Sequence, residues 1–282
     1  MADAFGNSGG RNAMKMMRIA SLLTMALALP LLANAAEPAR TKIVLIPTKL
    51  DHPPASHMYE LECRLLAKCL HQTANVEAVV SPDFDWPQDP AILKDVKAIV
   101  YYSRPAGDIL LDPSRRDEVR KLMKSGVGLA CIHWATAAEK DKGEEWLQTL
   151  GGWFHFAHSG LAVEKQRLVQ SAPDHPICRG WKEYDLHDEF YLNLKFHEQA
   201  QPILKVSVAG KEQTVAWALK REDSNGGRSF GCTLGHFHDN FKIDDFRKML
   251  VNGILWSAQV EVPKEGAPVA VTDADLKLPP AP

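Results

Sequence analysis

The sequence contains no Cys-x-x-Cys pair and has only five cysteines, at positions 63, 69, 131, 178 and 232. Structural zinc sites are typically built from such pairs, so we expect no zinc finger or zinc ribbon here. An odd number of cysteines at irregular spacing also does not predict a disulfide framework. We therefore expect most of the five to be buried free thiols, with a single disulfide bridge as the alternative.

The chain also lacks an excess of charge of either sign, because 33 Lys and Arg stand against 35 Asp and Glu, for a formal net charge of −2. It has no basic stripe, so we expect no nucleic-acid partner. The apolar run at residues 19–32 falls short of the roughly 20 residues that cross a bilayer as a helix. A stable membrane anchor is therefore not expected.

That short run instead has the composition of a secretory signal. Arg11, Lys15 and Arg18 precede it, and Ala33-Asn34-Ala35 supplies the small residues of a cleavage site. We predict a cleaved signal peptide at residues 1–35 and a periplasmic or secreted protein. The remaining chain fits one large domain at residues 36–260. Residues 261–282, rich in Pro, Ala and acidic residues, are expected to form a flexible tail.

Short apolar runs alternate with amphipathic stretches through the first half of the chain. Residues 42–47, 76–80, 97–102 and 126–133 have the pattern of buried strands, and 57–71, 113–125 and 142–150 that of helices. The second half adds strands near 162–169, 203–208, 214–219 and 228–234, then a helix at 245–258. This order predicts an α/β fold with right-handed crossovers and a mostly parallel central sheet.

Polar clusters follow three of these strands. Asp51, His52 and His57 come after the first, His133 and Trp134 end the strand that contains Gly128, and His236, His238 and Asp239 follow the last. Ligands of open α/β sheets bind outside the carboxyl ends of the strands, so we expect the clusters to converge on one pocket.

Each cluster also has a purely structural interpretation. A strand-end histidine can serve only as a hydrogen-bonding group, and the alternation in 236–238 aims only one of two rings inward. Asp188 and Glu189 are adjacent, so in an extended segment they point to opposite faces and only one enters a pocket. Trp153, in the Gly-, aromatic- and His-rich segment 151–158, is more typical of a core residue than of a ligand platform.

Six segments, in order, resemble the trehalose-utilisation (ThuA-like) family. They are GLACIHWA (128–135), LGGWF (150–154), DHPICRG (174–180), DEFY (188–191), GRSFGCTLGH (227–236) and FRKMLVNGILW (246–256). The resemblance implies a three-layer α/β/α sandwich of the flavodoxin-like, class I glutamine amidotransferase-like type. It also implies work on carbohydrates, such as trehalose-like disaccharides or their 3-keto derivatives.

True amidotransferases need a Cys nucleophile on a sharp strand-to-helix elbow, activated by a His. In this chain we expect the elbow near Ala130 or Cys131, without the flanking Gly-x-Cys-x-Gly pattern. A thiol inside a buried strand is inert, so the sequence predicts no glutaminase activity.

Two interpretations of the function follow. In the first, the protein is a carbohydrate-processing hydrolase, lyase or isomerase. His133, His236, Glu189 and Asp188 are then the candidate catalytic groups, and the substrate contacts are His57, Trp134, Trp153, Tyr191 and His238. A divalent metal held by His57, His133 and His236, with Glu189, is an open addition to this scheme. In the second, it is a non-catalytic periplasmic sugar-binding or accessory protein. A homodimer is one alternative for the oligomeric state.

Overall fold

The computed structural model describes residues 40–280 of the chain. The predicted signal peptide at residues 1–35 lies outside the described residues. Within residues 40–280, no helix combines the length and the apolar character needed to cross a membrane.

The core of the fold is a sheet of eight strands. In spatial order they are β2 (Val76–Val80), β1 (Thr41–Pro47), β3 (Val96–Tyr102), β4 (Gly128–Ile132), β12 (Arg228–Cys232), β11 (Lys211–Lys220), β10 (Gln201–Val208) and β7 (Val169–Gln170). The first five run parallel and the last three antiparallel. The expected parallel sheet is therefore confirmed for its larger part, and an antiparallel extension is added at one side.

Helices cover both faces of this sheet. One face is covered by α1 (Tyr59–Leu70) and α5 (Asp244–Ser257), and the other by α2 (Ala106–Leu110), α3 (Arg116–Lys124) and α4 (Gly143–Leu150). Every residue of β4 is buried, as expected for a parallel strand that is covered on both sides. The predicted three-layer α/β/α sandwich is confirmed.

Two small ribbons accompany the main sheet. β6 (Gly160–Arg167) pairs antiparallel with β8 (Asp185–Leu192), and β5 (Gly152–Trp153) pairs with β9 (Lys195–Phe196). The sequence pattern did not predict β8, because its acidic and aromatic residues hide the alternation of buried and exposed positions. This strand carries Glu189 and Tyr191.

The prediction of a flexible tail is wrong for residues 261–280. Val262, Ala267 and Val269 are buried in the core on the α5 side of the sheet. The Gln72 side chain donates to the Ala270 carbonyl at 2.8 Å and accepts from its amide at 3.0 Å. The composition of the segment predicted disorder, but two buried valines and a few hydrogen bonds from side chains to its backbone are enough to hold a segment rich in Pro and Ala against two helices.

Candidate metal and substrate site

Three histidines meet at the carboxyl ends of the parallel strands, as predicted. The loop after β1 carries His57, His133 directly follows β4, and the loop after β12 carries His236. The Nε2 atoms of His57 and His133 lie 2.9 Å apart, and the Nδ1 atom of His236 lies 3.0 Å from the first and 3.2 Å from the second. The three nitrogen atoms therefore form a compact triangle.

The backbone holds these rings in place at a cost in conformational strain. His57 has φ of 48° and His133 has φ of 57°, both in the left-handed region that L side chains rarely adopt. Such outliers concentrate at functional sites, where the surrounding structure enforces them. The His57 amide donates to the His236 carbonyl at 3.0 Å, and Ser56 forms an isolated bridge with Phe237, so the two loops are tied together.

The sharp turn after β4 is centred on His133, which corrects the expectation of an elbow near Ala130 or Cys131. The turn directs one side chain into the pocket, and in this chain that side chain is the His133 imidazole. Cys131 is fully buried within β4, and burial raises the pKa of its thiol. The prediction that this thiol is inert agrees with its position.

Hydrogen-bond partners fix the tautomers of two of the rings. His133 Nδ1 lies 2.8 Å from the Thr233 carbonyl oxygen, which can only accept, so Nδ1 carries the proton. Tyr59 donates its hydroxyl proton to Asp51 at 3.1 Å, and its oxygen lies 2.7 Å from His57 Nδ1, which also faces Asp51 at 3.1 Å. Both rings therefore direct an unprotonated Nε2 into the triangle.

Burial keeps these two rings neutral. It lowers the pKa of His57 to about 2, helped by the neighbouring His52 and His236 rings. Burial likewise lowers the pKa of His133 well below its ordinary value, with His57 adding to the effect. Neutral imidazole is the form that binds metal ions.

Two lone pairs that face each other at 2.9 Å repel unless a positive charge lies between them. A proton on His236 Nδ1 can satisfy only one of them, whereas a metal ion satisfies all three nitrogens. Tetrahedral ligands at a metal–nitrogen distance of about 2.0–2.1 Å are separated by about 3.3 Å, close to the spacing here. The donor set therefore fits a divalent transition metal.

Glu189 supplies a fourth donor from β8. Its Oε2 lies 3.5 Å from His236 Nδ1 and 3.7 Å from His133 Nε2. Burial works against its ionisation, but a hydrogen bond with the His236 ring holds the pKa of Glu189 below its ordinary value. The carboxylate is thus ionised, and it can ligate an ion or accept a proton beside it.

A cavity of about 110 Å³ opens next to the triangle. Its walls are mostly aromatic and are formed by His52, His57, Trp134, Phe154, Phe156, Leu161, Glu189 and Tyr191. The Tyr191 hydroxyl lies 3.4 Å from His133 Nε2. A larger groove of about 500 Å³, beside Leu50 and Met58, contains none of the three histidines.

The structure brings together six of the nine predicted site residues: His57, His133, Trp134, Glu189, Tyr191 and His236. The assignment of Trp153 is wrong, because its ring is buried in the core against Gly143 and its indole donates to the Ala138 carbonyl at 2.8 Å. The assignment of His238 is also wrong. Its ring turns away from the cavity to pair with the buried Glu62 and to contact the Leu276 carbonyl oxygen at 2.7 Å.

Asp188 is not placed for catalysis either. Its buried carboxylate accepts hydrogen bonds from the backbone amides of Gly235 at 2.6 Å, Glu189 at 2.9 Å and His236 at 3.0 Å. Within the described part of the chain its hydrogen-bond partners are all backbone amides, so it holds the loop that carries His236. The prediction that only one of these two adjacent carboxylates enters the pocket is confirmed, because Asp188 points away from the pocket and Glu189 points into it.

The structure places four further residues at the site, of which the sequence had indicated only His52, as a member of the cluster after the first strand. The His52 ring packs against the His57 ring at a tilt of 43°, with ring centroids 3.6 Å apart, and its Nδ1 lies 2.7 Å from Asp51. Its position five residues before His57 was the available signal. Tyr59, Phe154 and Phe156 carried none, because each resembles an ordinary core or helix residue.

Comparisons with known proteins agree with this fold. No curated protein matches the chain by sequence. The solved structure of a ThuA-like protein from Bacteroides uniformis is similar at a TM-score of 0.60 and 18% identity, over 82% of this chain and 95% of that one. One from Parabacteroides merdae gives 0.58 and 14%, over 84% and 99%.

A family model described as trehalose utilisation matches residues 45–257. This match spans the sheet from β1 to α5 and includes His57, His133, Glu189 and His236. The chain belongs to the ThuA, or trehalose utilisation, family.

Proposed function

We propose that this protein is a metal-dependent enzyme that acts on carbohydrates, with a divalent ion held by His57, His133 and His236. The observation that carries the proposal is the nitrogen triangle, in which two neutral rings direct lone pairs at each other across 2.9 Å. When bound, such an ion polarises a carbonyl or lowers the pKa of a water molecule.

The residues around the triangle supply the remaining parts of an acid–base site. Glu189 is ionised and lies within 3.7 Å of two of the rings, so it is placed to accept a proton from the substrate. His52 borders the same cavity, with Nδ1 oriented by Asp51. Trp134 and Phe156 offer flat apolar faces to a ring, as sugar sites commonly do.

The carbohydrate part of the proposal is supported by the family description and by the shape and chemistry of the cavity. The reaction class is a hydrolase, lyase or isomerase. Binding of a sugar without conversion would support instead the alternative of a non-catalytic sugar-binding or accessory protein. Incubation with trehalose and its 3-keto derivative, followed by mass spectrometry of the products, separates the two.

Metal binding is tested on protein purified without an affinity tag. Elemental analysis should find about one transition-metal ion per chain, and cobalt substitution should give the visible bands of a tetrahedral site. His133→Ala and His236→Ala should lose both the ion and turnover. His197→Ala is the matched control, because the hydrogen bonds of its ring within residues 40–280 are to the Gln148 side chain and the Gln199 amide, away from the triangle. Substoichiometric metal in the wild type would overturn the metal assignment.

We also propose that the protein is exported and that the mature chain begins at Ala36. The basic, apolar and small-residue segments before this position support the proposal. N-terminal sequencing of protein recovered from the periplasm or medium should read Ala-Glu-Pro. Recovery of the uncleaved chain from the cytosol alone would contradict it.

A further inference from the structure

We infer that the protein has a second ligand site, which binds a single-chain amphiphile with an anionic head group. The site is the groove of about 500 Å³ beside α1, here called the α1 groove. Its apolar wall is formed by Leu50, Met58, Leu61, Phe84 and Pro279. The inference does not depend on the proposed function, because none of the three histidines lines this groove.

The α1 groove has the size and the place of a small-molecule site. Its volume falls within the roughly 300–1,000 Å³ of such sites. The loop after β1 contributes Leu50 to its wall, and the loop after β2 contributes Phe84. The groove therefore lies at the carboxyl ends of parallel strands, where open α/β sheets bind their ligands.

A second hollow extends this space along α1. It has a volume of about 210 Å³ and adjoins the α1 groove, since Leu61 and Arg64 line both. Lys68 also borders it. From Met58 to Lys68 the helix rises by about 15 Å, at about 1.5 Å per residue. An extended chain therefore fits the combined space better than a compact ring.

Apolar side chains line the α1 groove although water reaches them. Leu50 is 60% exposed and Phe84 is 37% exposed. Met58 and Leu61 of α1 and Pro279 of the C-terminal segment border the same space. An alkyl chain in the groove would remove this surface from water, which is the main driving force for such binding.

The charged groups of the α1 groove leave an excess of positive charge. Lys49, Arg64 and Lys277 line it together with a single carboxylate, Glu60. Arg64 is paired with Glu60 at 2.5 Å. Within residues 40–280, neither Lys49 nor Lys277 forms an ion pair or a side-chain hydrogen bond. Charge complementarity therefore favours an anionic head group.

The other acidic residues near the groove do not cancel this excess, because each has a partner of its own. The pairs are Asp51 with His57, Asp83 with the Gln88 amide, Asp85 with Arg104, and Asp275 with Lys68. The two lysines are thus the cations that remain for a ligand.

The test compares decanoate with decylammonium, which have the same alkyl chain and opposite charges. Titration calorimetry below the micellar concentrations should show decanoate binding at least about fivefold more tightly, the upper effect of one exposed ion pair. Octanoate should bind roughly tenfold more weakly than decanoate, because two methylene groups fewer are buried. Equal binding of the two charges, or no binding of decanoate, would overturn the inference.

A substitution in the apolar wall locates the bound chain. Leu50→Ser should weaken decanoate binding by about fivefold, because part of the buried apolar surface is lost. Val169→Ser is the matched control, since Val169 is also exposed, at 42%, but lies on β7 at the other end of the main sheet. Equal effects of the two substitutions would mean that decanoate adsorbs elsewhere, against the inference.

Charge reversal tests the head group. Lys49→Glu combined with Lys277→Glu should make the protein bind decylammonium more tightly than decanoate. The control combines Lys211→Glu with Lys264→Glu, two exposed lysines outside the groove, and should keep the preference of the wild type. An unchanged preference in the first double variant would refute the assignment of the head group to these lysines.

Discussion

The His57 and His133 rings are each held in the neutral form, with the proton on Nδ1. Each has a hydrogen-bond acceptor at Nδ1, which fixes the proton there, and each is buried, which disfavours a second proton. The same two effects that make these rings poor acid–base catalysts make them good metal ligands. In the proposed function, the proton-transfer role expected for His133 therefore passes to Glu189.

Acid should destabilise the metal-free protein through these rings. As the pH falls from 7 to 5, the unfolded chain protonates both histidines near their ordinary pKa of 6.5, whereas the folded protein does not. The free energy of unfolding should therefore fall, by about 1.4 kcal/mol per pH unit for each ring once the pH is well below 6.5. Urea unfolding at pH 7, 6 and 5 measures this slope.

The control for this slope is His57→Gln, which removes one of the two rings. Well below pH 6.5, the slope of its unfolding free energy against pH should be smaller than that of the wild type by the contribution of one proton, about 1.4 kcal/mol per pH unit. Identical slopes in the variant and the wild type would mean that His57 is already protonated in the folded protein.

Asp51 should tune metal affinity without touching the ion. Asp51→Asn keeps a hydrogen-bond acceptor for His57 but removes the charge, and loss of such an outer partner typically costs about 10–100-fold in affinity. Competition with a chelator of known affinity measures the change. Asp239→Asn, at an exposed carboxylate paired with Lys242, should leave the affinity unaltered.

At the scale of the elements, two adjacent residues of β8 have different roles, one structural and one at the candidate site. Asp188 points inward and holds the backbone of Gly235 and His236, while Glu189 faces the triangle. Period-two alternation is sufficient to predict that the two carboxylates separate. It cannot assign which one enters the pocket, because that depends on how the β6–β8 ribbon packs against the main sheet.

Paired substitutions should separate these tasks. Asp188→Ala leaves buried backbone amides without an acceptor and should lower the free energy of unfolding by about 1–3 kcal/mol or more. Glu189→Gln, one residue away, should leave stability nearly unchanged but reduce metal affinity and turnover. Chemical denaturation and metal titration of both variants give the comparison, and equal destabilisation would contradict it.

The C-terminal segment is a structural element in spite of its composition. Removal of residues 261–282 exposes the sites of Val262 and Val269 and frees the Arg247 guanidinium from the Val269 carbonyl. We expect a loss of at least about 3 kcal/mol of unfolding free energy, since each buried valine contributes about 1.5–3 kcal/mol. A truncation after Leu278 is the control, and a full truncation as stable as the wild type would show that the segment is dispensable.

At the scale of the whole molecule, all five cysteines are buried and unpaired. The native protein should therefore react slowly with a thiol reagent, and the unfolded protein should yield five thiols. Fewer than five under denaturing, non-reducing conditions would indicate a disulfide bridge, the alternative that the sequence left open.

The overall architecture was predictable because apolar periodicity reports burial directly. The strands near β1, β2, β3 and β4 and the helices near α1 and α5 were each located to within a few residues. The convergence of His57, His133 and His236 also followed, since parallel strands bring their carboxyl ends to one edge. The roles of Trp153 and His238 did not follow, because the direction of a ring within a loop is decided by its packing partners.

The triangle joins residues that are 76 and 103 positions apart in the chain. It cannot exist until β12 lies beside β4 and the loop after β1 has closed over both. An unfolded chain therefore has no such ion-binding site, and a chain that crosses a membrane before folding leaves the cytosolic metal supply behind. If the proposed export and the proposed metal site are both correct, the compartment in which the protein folds determines which metal it acquires.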